Sequence, residues 1–411
     1  MSALAPAYFA RRDQVAHRRR AGSPDIDGTQ QGDISPRHRG TIGQRRQFIA
    51  RPSSKPSPPG IIWNPVMQSH LPAADGRGVV FATTADGLRL PVIDVTRPAF
   101  AVPDDPASVA ARRDAFLAWD RRNRRMPWIL TRLLMRLAAR RSRLLRKMLA
   151  SDNEYLDSIS TYMFKLGADH LPPGFDGPVD RKVAAAPHVA LVRLRMQQIA
   201  RLLAQALLAP LAGAPHAPLY LVNIAGGPAL DSINALIMLA RGDAPLMQRP
   251  IAIHVFDAQP DGPTFGARAL LALSAPGGPL HGLEVQFQHH AYDWNDTAPL
   301  ARLLGSPAAR GAIIAASSEG GLFEYGNDEA VVANLTALAR AGVPIVAGSV
   351  TSTSDVRKRM IAQTRFRLFA RGVEGFAPLA ERSGYAIAKS RTAVVSEQVL
   401  LRPRATVPPS Q

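Results

Sequence analysis

The chain has 411 residues, 46% of them hydrophobic, enough for a large core and two or three units at about 150 residues each. It contains no cysteine, which excludes a disulfide framework, a thiolate metal site and cysteine nucleophilic catalysis. The net charge of +18 sits in two basic appendages, residues 1–66 (eleven Lys/Arg against four Asp) and 112–147 (thirteen against two), so the rest sums to zero and does not read as shaped around nucleic acid.

Residues 1–66 carry RRDQVAHRRR, SPRHRGTIGQRR and PSSKPSPPG, a composition that cannot bury enough surface to fold. This stretch is expected to be a disordered basic extension. A tail for nucleic acid or anionic surfaces and a targeting segment are alternatives; a translation start at Met67, where ordinary composition begins, is preferred. Apolar residues precede the arginines here, the reverse of a secretory signal. No apolar run approaches the roughly 18 residues of a transmembrane helix. Mean hydropathy is near zero, and a cytoplasmic protein is the expectation.

Residues 67–111 hold short β-like pieces, Gly78-Val79-Val80-Phe81-Ala82 and Leu88-Arg89-Leu90-Pro91-Val92, for a small hairpin or irregular lead-in. A helical cap is expected over 112–213. It opens with a basic helix or helix pair over 112–150, divided at Pro127. Leu130, Leu133, Leu134, Leu137, Leu144, Leu145 and Met148 fall at helical spacing, with Arg132, Arg136, Arg140, Arg143 and Lys147 on another face. A solvated face over packed leucines is the first reading, contact of residues 126–149 with an anionic membrane surface the second, and phosphate contact the third. Ser151-Asp152-Asn153-Glu154 has capping-box spacing and is expected to open a helix through Leu166, stopped at Gly167. After a loop over 169–178, a long helix runs over 187–211.

From residue 217 the pattern alternates. Strands at 219–223, 251–256, 284–288, 311–316 and 343–347 are separated by helices at 230–241, 264–273, 297–304 and 328–341. Two further strands, 385–391 and 398–402, form a terminal antiparallel hairpin. The fold class is therefore α/β: a doubly wound, Rossmann-like seven-stranded sheet over 214–404, preceded by the helical cap and followed by a tail, 405–411. Its first βα unit breaks at the small-residue turn Ala225-Gly226-Gly227-Pro228-Ala229. Small residues there let a ligand approach the backbone, and the helix N-terminus adds partial positive charge.

Five parallel strands closed by a hairpin resemble a class I S-adenosylmethionine-dependent methyltransferase over residues 217–404. The resemblance implies S-adenosylmethionine as cofactor and a small-molecule methyl acceptor. The family's first motif, an acid followed by Gly-x-Gly-x-Gly, reads Asn223-Ile224-Ala225-Gly226-Gly227-Pro228-Ala229, with Gly227 at the middle glycine and alanines at the outer two. Asn223 stands where an acid meets the amino-acid end of the cofactor. Asp257, ending the second strand and followed by Ala258, matches the ribose-binding acid, and a turn aspartate is its bland alternative. Tyr292 and Asp293, beyond the third strand, would face the adenine.

After the fourth strand, the Glu319-Gly320 pair followed by Tyr325 is similar to a segment of leucine carboxyl methyltransferase-like O-methyltransferases. Ser317 and Ser318 replace the carboxylates of metal-dependent members, which implies metal-free O-methylation. His290, Glu319 and Tyr325 are the candidate catalytic residues, with His289 beside them, although a carboxylate acceptor would need no base. The adjacent histidines do not suggest metal, because neighbours on a strand point to opposite faces. Asn327 and Asp328 read as an N-cap and a first-turn acid. Two other classes compete. An NAD(P)-dependent oxidoreductase would want glycines at Ala225, Gly227 and Leu230, of which one is present; a non-catalytic binding protein would explain the eroded turn. A nucleic-acid methyltransferase is disfavoured by the neutral domain and by the lack of an Asn/Asp-Pro-Pro-Tyr/Phe motif.

Overall fold

The computed structural model describes residues 78–124, 128–150, 157–362 and 366–404. The basic extension, Met67, Pro127, the 151–154 capping box and the tail lie outside the described residues.

The chain opens with an antiparallel pair, β1 (Phe81–Thr83) and β2 (Arg89–Pro91). Helices α1 (Pro106–Arg124), α2 (Trp128–Arg141), α3 (Arg143–Ala150), α4 (Ser158–Leu166), α5 (Pro178–Ala184) and α6 (Pro187–Gly213) follow. The α/β domain runs β3 (Leu219–Ile224), α7 (Leu230–Gly242), β4 (Ile251–Asp257), α8 (Asp261–Ser274), β5 (Val285–Ala291), α9 (Ala298–Leu304) and β6 (Ile313–Ser318). It continues through α10 (Leu322–Tyr325), α11 (Asp328–Arg340), β7 (Ile345–Thr351), α12 (Asp355–Ala362), α13 (Gly372–Arg382), β8 (Tyr385–Thr392) and β9 (Ser396–Pro403).

The sheet has seven strands in the order β5-β4-β3-β6-β7-β9-β8. The first five are parallel, while β9 pairs antiparallel with both β7 and β8. This is a Rossmann-like, doubly wound sheet closed by a terminal antiparallel hairpin. Alternation along the strands makes its two faces: Leu219 and Leu221 of β3 join one apolar core with α6, α7 and α8, while Val222 and Ile224 join the other with α9, α11 and α13. The chain winds outward from β3 through β4 to β5, then crosses back to β6 on β3's other side. That reversal between β3 and β6 opens a crevice beyond the strands' carboxyl ends.

Several expectations are corrected. Helix α4 starts at Ser158, not in the 151–154 stretch, and Asp157 caps it by accepting the Ser160 amide at 2.8 Å. The loop over 169–178 is followed by the short helix α5, begun at Pro178, where a missing N–H costs nothing. Strand β5 runs on through His289, His290 and Ala291, because an edge strand tolerates polar side chains. Helices α12 and α13 were not foreseen: the first is short and polar, and the second contains Gly375 and Pro378.

The basic segment breaks at Ser142, whose Oγ accepts the Leu145 amide at 2.9 Å and donates to Asp180 at 2.6 Å. Its leucines divide there. Leu144 and Leu145 enter the core, whereas Leu130, Leu133 and Leu137 are 45–54% exposed and Leu134 is half-buried, so most of the α2 leucines do not pack inward. Among the described residues no helix is long and apolar enough to cross a membrane.

Candidate functional site

A cavity of about 650 Å³ occupies the crevice, within the 300–1,000 Å³ range usual for small-molecule sites. Its floor is the turn after β3. Ala225, Gly227 and Ala229 have φ of 54°, 58° and 53°. The two alanines thus hold the left-handed conformation that costs a side chain about 1–2 kcal/mol each. They stand where the resemblance has glycines, so the turn keeps positive φ there at the cost of strain. Gly226 has a steric reason: a Cβ there would lie 2.2 Å from Asn223 Oδ1. Likewise, a Cβ on Gly321 would lie 2.1 Å from the Ala225 carbonyl oxygen, so the turn after β6 rests on the turn after β3.

Asp257 ends β4 in the cavity wall. Its Oδ2 accepts the Gly227 amide at 3.0 Å and its Oδ1 the Gln259 amide at 3.0 Å. A carboxylate has about four acceptor positions, so capacity remains for a ligand. Burial raises its pKa above the ordinary value, against the lowering effect of those two amides. Ala258, Tyr292 and Asp293 line the same wall. The Tyr292 hydroxyl donates to Asn334 Oδ1 at 2.6 Å and its ring meets Phe256 edge-on, which leaves the side chain rigid. Asp293 Oδ1 accepts from the backbone and side chain of Asn295.

Two sequence candidates lie elsewhere. Asn223 is fully buried under the turn, donating to Asp231 Oδ1 at 2.8 Å and Ser317 Oγ at 3.1 Å, and it does not line the cavity. His290 also lies outside the lining. It stacks on Phe256 at 4.5 Å and shares a 3.2 Å hydrogen bond with His254 Nδ1. Burial pushes its pKa down. His289 is engaged as well, Nε2 lying 2.9 Å from the Asp257 carbonyl oxygen. Both histidines belong to β5, so the strand's extension carries them off the cavity.

Glu319 and Tyr325 do line the cavity, at its other end. Glu319 is buried and accepts from Lys165 Nζ and from Arg195 Nε at 2.7 Å. Arg195 Nη1 also reaches both oxygens of Glu324, at 3.0 and 3.1 Å. Burial alone would raise the Glu319 pKa, but Lys165 and Arg195 outweigh it and hold the carboxyl below its ordinary value. Glu319 is therefore an ion-paired anion and a poor proton acceptor. Burial, then Glu324, raises Tyr325 to about 12, so it holds its proton near neutrality.

Sequence reasoning missed the groups contributed by the cap. Ser158 sits over the turn, where a Cβ on Gly227 would lie 2.9 Å from its Oγ. Lys165, His188 and Arg195 line the cavity, as does Arg357 of α12. One signal was available: Arg195 falls on the buried stripe of α6, beside Leu191, Leu194 and Gln198, where an unexplained charge would be costly.

No family model matches the chain, and no curated protein does. Among solved structures, a possible exported protein from Bordetella parapertussis is similar at 17% identity over 72% of this chain and 94% of that one, with a TM-score of 0.45. An O-methyltransferase family protein from Burkholderia thailandensis is similar at 16% identity over 56% of this chain and 61% of that one, with a TM-score of 0.33. An O-methyltransferase from neocarzinostatin biosynthesis, in complex with S-adenosyl-L-homocysteine and 1,4-dihydroxy-2-naphthoic acid, is similar at 16% identity over 45% of this chain, with a TM-score of 0.29. The chain spans about half that protein's length, 49%.

Proposed function

We propose that this chain is a metal-independent, S-adenosylmethionine-dependent methyltransferase that methylates an oxygen of a small molecule. One observation carries the reading: Asp257, at the tip of the second strand, is bound to the Gly227 amide beside the switch point of the sheet. No Lys or Arg pairs with Asp257 among the described residues, so its free lone pairs suit neutral hydroxyl donors such as those of a ribose. The turn at 225–227 supplies backbone that a ligand can approach closely. Tyr292 and Asp293 offer a rigid ring and a polar edge for a base.

The cofactor supplies a methyl group on a sulfonium, already activated for displacement. The chain's task is then alignment of nucleophile and methyl carbon and exclusion of water. Of the candidate bases in the cavity, Glu319 is held as an ion-paired anion and Tyr325 keeps its proton, which favours an acceptor that arrives with its own negative charge. Residues 126–149 add a second proposed contact, with an anionic membrane surface.

A thermal-shift comparison on the full chain tests the reading. S-adenosylmethionine and S-adenosylhomocysteine should raise the melting temperature and NADH should not. Stabilisation by NADH alone would transfer the site to an oxidoreductase, and silence with all three would leave a binding protein.

A further inference from the structure

Beside Glu319 the cavity is lined by residues of α6, α10 and α12. Its charges are uneven there. Lys165 and Arg195 are matched by Glu319 and Glu324, two cations against two anions with every partner bonded. Arg357, on α12, is the additional cation. It lines the cavity, and among the described residues it has no ion pair and its buried Nε has no hydrogen-bond partner. His188, from the first turn of α6, lines the same end with a buried, unpartnered Nδ1. Burial, then the nearby charge of Arg357, lowers the His188 pKa to about 4, so the imidazole is neutral and the surplus positive charge belongs to the guanidinium.

Both groups are held in place. Val356, next to Arg357, is buried in one cluster with Leu191 and Leu194 of α6. The His188 ring lies 5.0 Å from that of Trp119 on α1. A guanidinium with no ion pair of its own, offset only by the field of Glu324, and an unpaired ring nitrogen are costly to the free protein, and a ligand anion lowers both costs. Phe164, Val189, Val192, Ile361, Phe366 and Leu368 add apolar lining to the cavity, beside Tyr325.

We infer that the substrate is an apolar small-molecule carboxylic acid whose carboxylate is anchored by Arg357, with His188 Nδ1–H as a second donor. The guanidinium fork matches a carboxylate in geometry as well as charge, and the apolar walls take the hydrocarbon body. This assignment rests on the methyltransferase reading for its meaning as a substrate site; the anion site itself stands on Arg357 and His188.

The test is calorimetric titration of 2-naphthoate and its neutral analogue 2-naphthamide into the full chain, alone and saturated with S-adenosylhomocysteine. Naphthoate should bind at least tenfold more tightly than the amide. Arg357→Gln should abolish that preference, Arg357→Lys should restore part of it, and affinity for S-adenosylhomocysteine should stay as it was. Equal binding of acid and amide, no binding of naphthoate, or a preference that survives Arg357→Gln overturns the assignment. Failure of the methyltransferase reading would look different: S-adenosylhomocysteine would not bind, while the acid preference and its dependence on Arg357 persisted.

Discussion

Asp257 Oδ2 accepts the backbone amide of Gly227 at 3.0 Å, across thirty residues of sequence. The bond joins the tip of the second strand to the turn after the first, so the two parts of the proposed ribose site form one unit. Because burial raises the Asp257 pKa, its carboxylate is lost at a higher pH than an exposed aspartate's would be. A protonated carboxyl offers fewer acceptor positions. On acidification, affinity for S-adenosylhomocysteine should therefore begin to fall at a higher pH than an exposed aspartate would cause, and the fall should be smaller in Asp257→Asn. A calorimetric pH series on the parent chain and the variant measures both.

Asp231 gives a stability prediction of defined sign. Burial, then Glu319, raises its pKa from 3.8 to about 6. Its Oδ2 has no partner among the described residues. The folded state thus binds more protons than the unfolded one between pH 4 and 6. The stabilising contribution is complete below the unfolded value and is lost as pH rises through the folded one. Asp231→Asn keeps the shape without the charge. It should be more stable than the parent at pH 8, by about 2–3 kcal/mol, and nearly equal at pH 4. Urea unfolding at both pH values checks the difference.

The Lys165–Glu319–Arg195 network makes a contrasting case. All three side chains are at most 10% exposed, so removing the central anion strands two buried cations. Glu319→Gln should cost about 3–5 kcal/mol. Asp104 pairs with Arg201 and Arg391, whose side chains are 33% and 27% exposed, and Asp104→Asn should cost about 1 kcal/mol or less. Denaturant midpoints of the two variants should differ accordingly; comparable losses would contradict the burial argument.

The α2 face bears on the proposed surface contact. Leu130, Leu133 and Leu137 are exposed beside exposed Arg136, Arg140 and Arg141, a pairing of apolar stripe and positive charge that suits an anionic bilayer. The chain should sediment with vesicles containing phosphatidylserine and not with neutral phosphatidylcholine vesicles. Leu133→Glu should reduce the bound fraction several-fold, as should raising the salt. Binding indifferent to vesicle charge would dismiss the proposal.

The sheet was legible because its signals are local. Runs such as Ile251-Ala252-Ile253 announce buried strands, and the turn at 225–229 and Asp257 follow from those runs by position. Where the signal weakened, the reading shortened or failed. The polar end of β5 hid the true place of His289 and His290, and Gly375 and Pro378 concealed α13. The far end of the cavity was illegible for another reason. Lys165, His188, Arg195 and Arg357 come from three helices spread over nearly two hundred residues, and only tertiary packing brings them to one wall.

The most direct test of the methyltransferase account is calorimetric titration of S-adenosylhomocysteine into the full chain and into Asp257→Ala. The account predicts micromolar binding at one site, weakened at least tenfold by the substitution while the protein stays folded. No binding to the parent chain, or binding that Asp257→Ala leaves untouched, would contradict it.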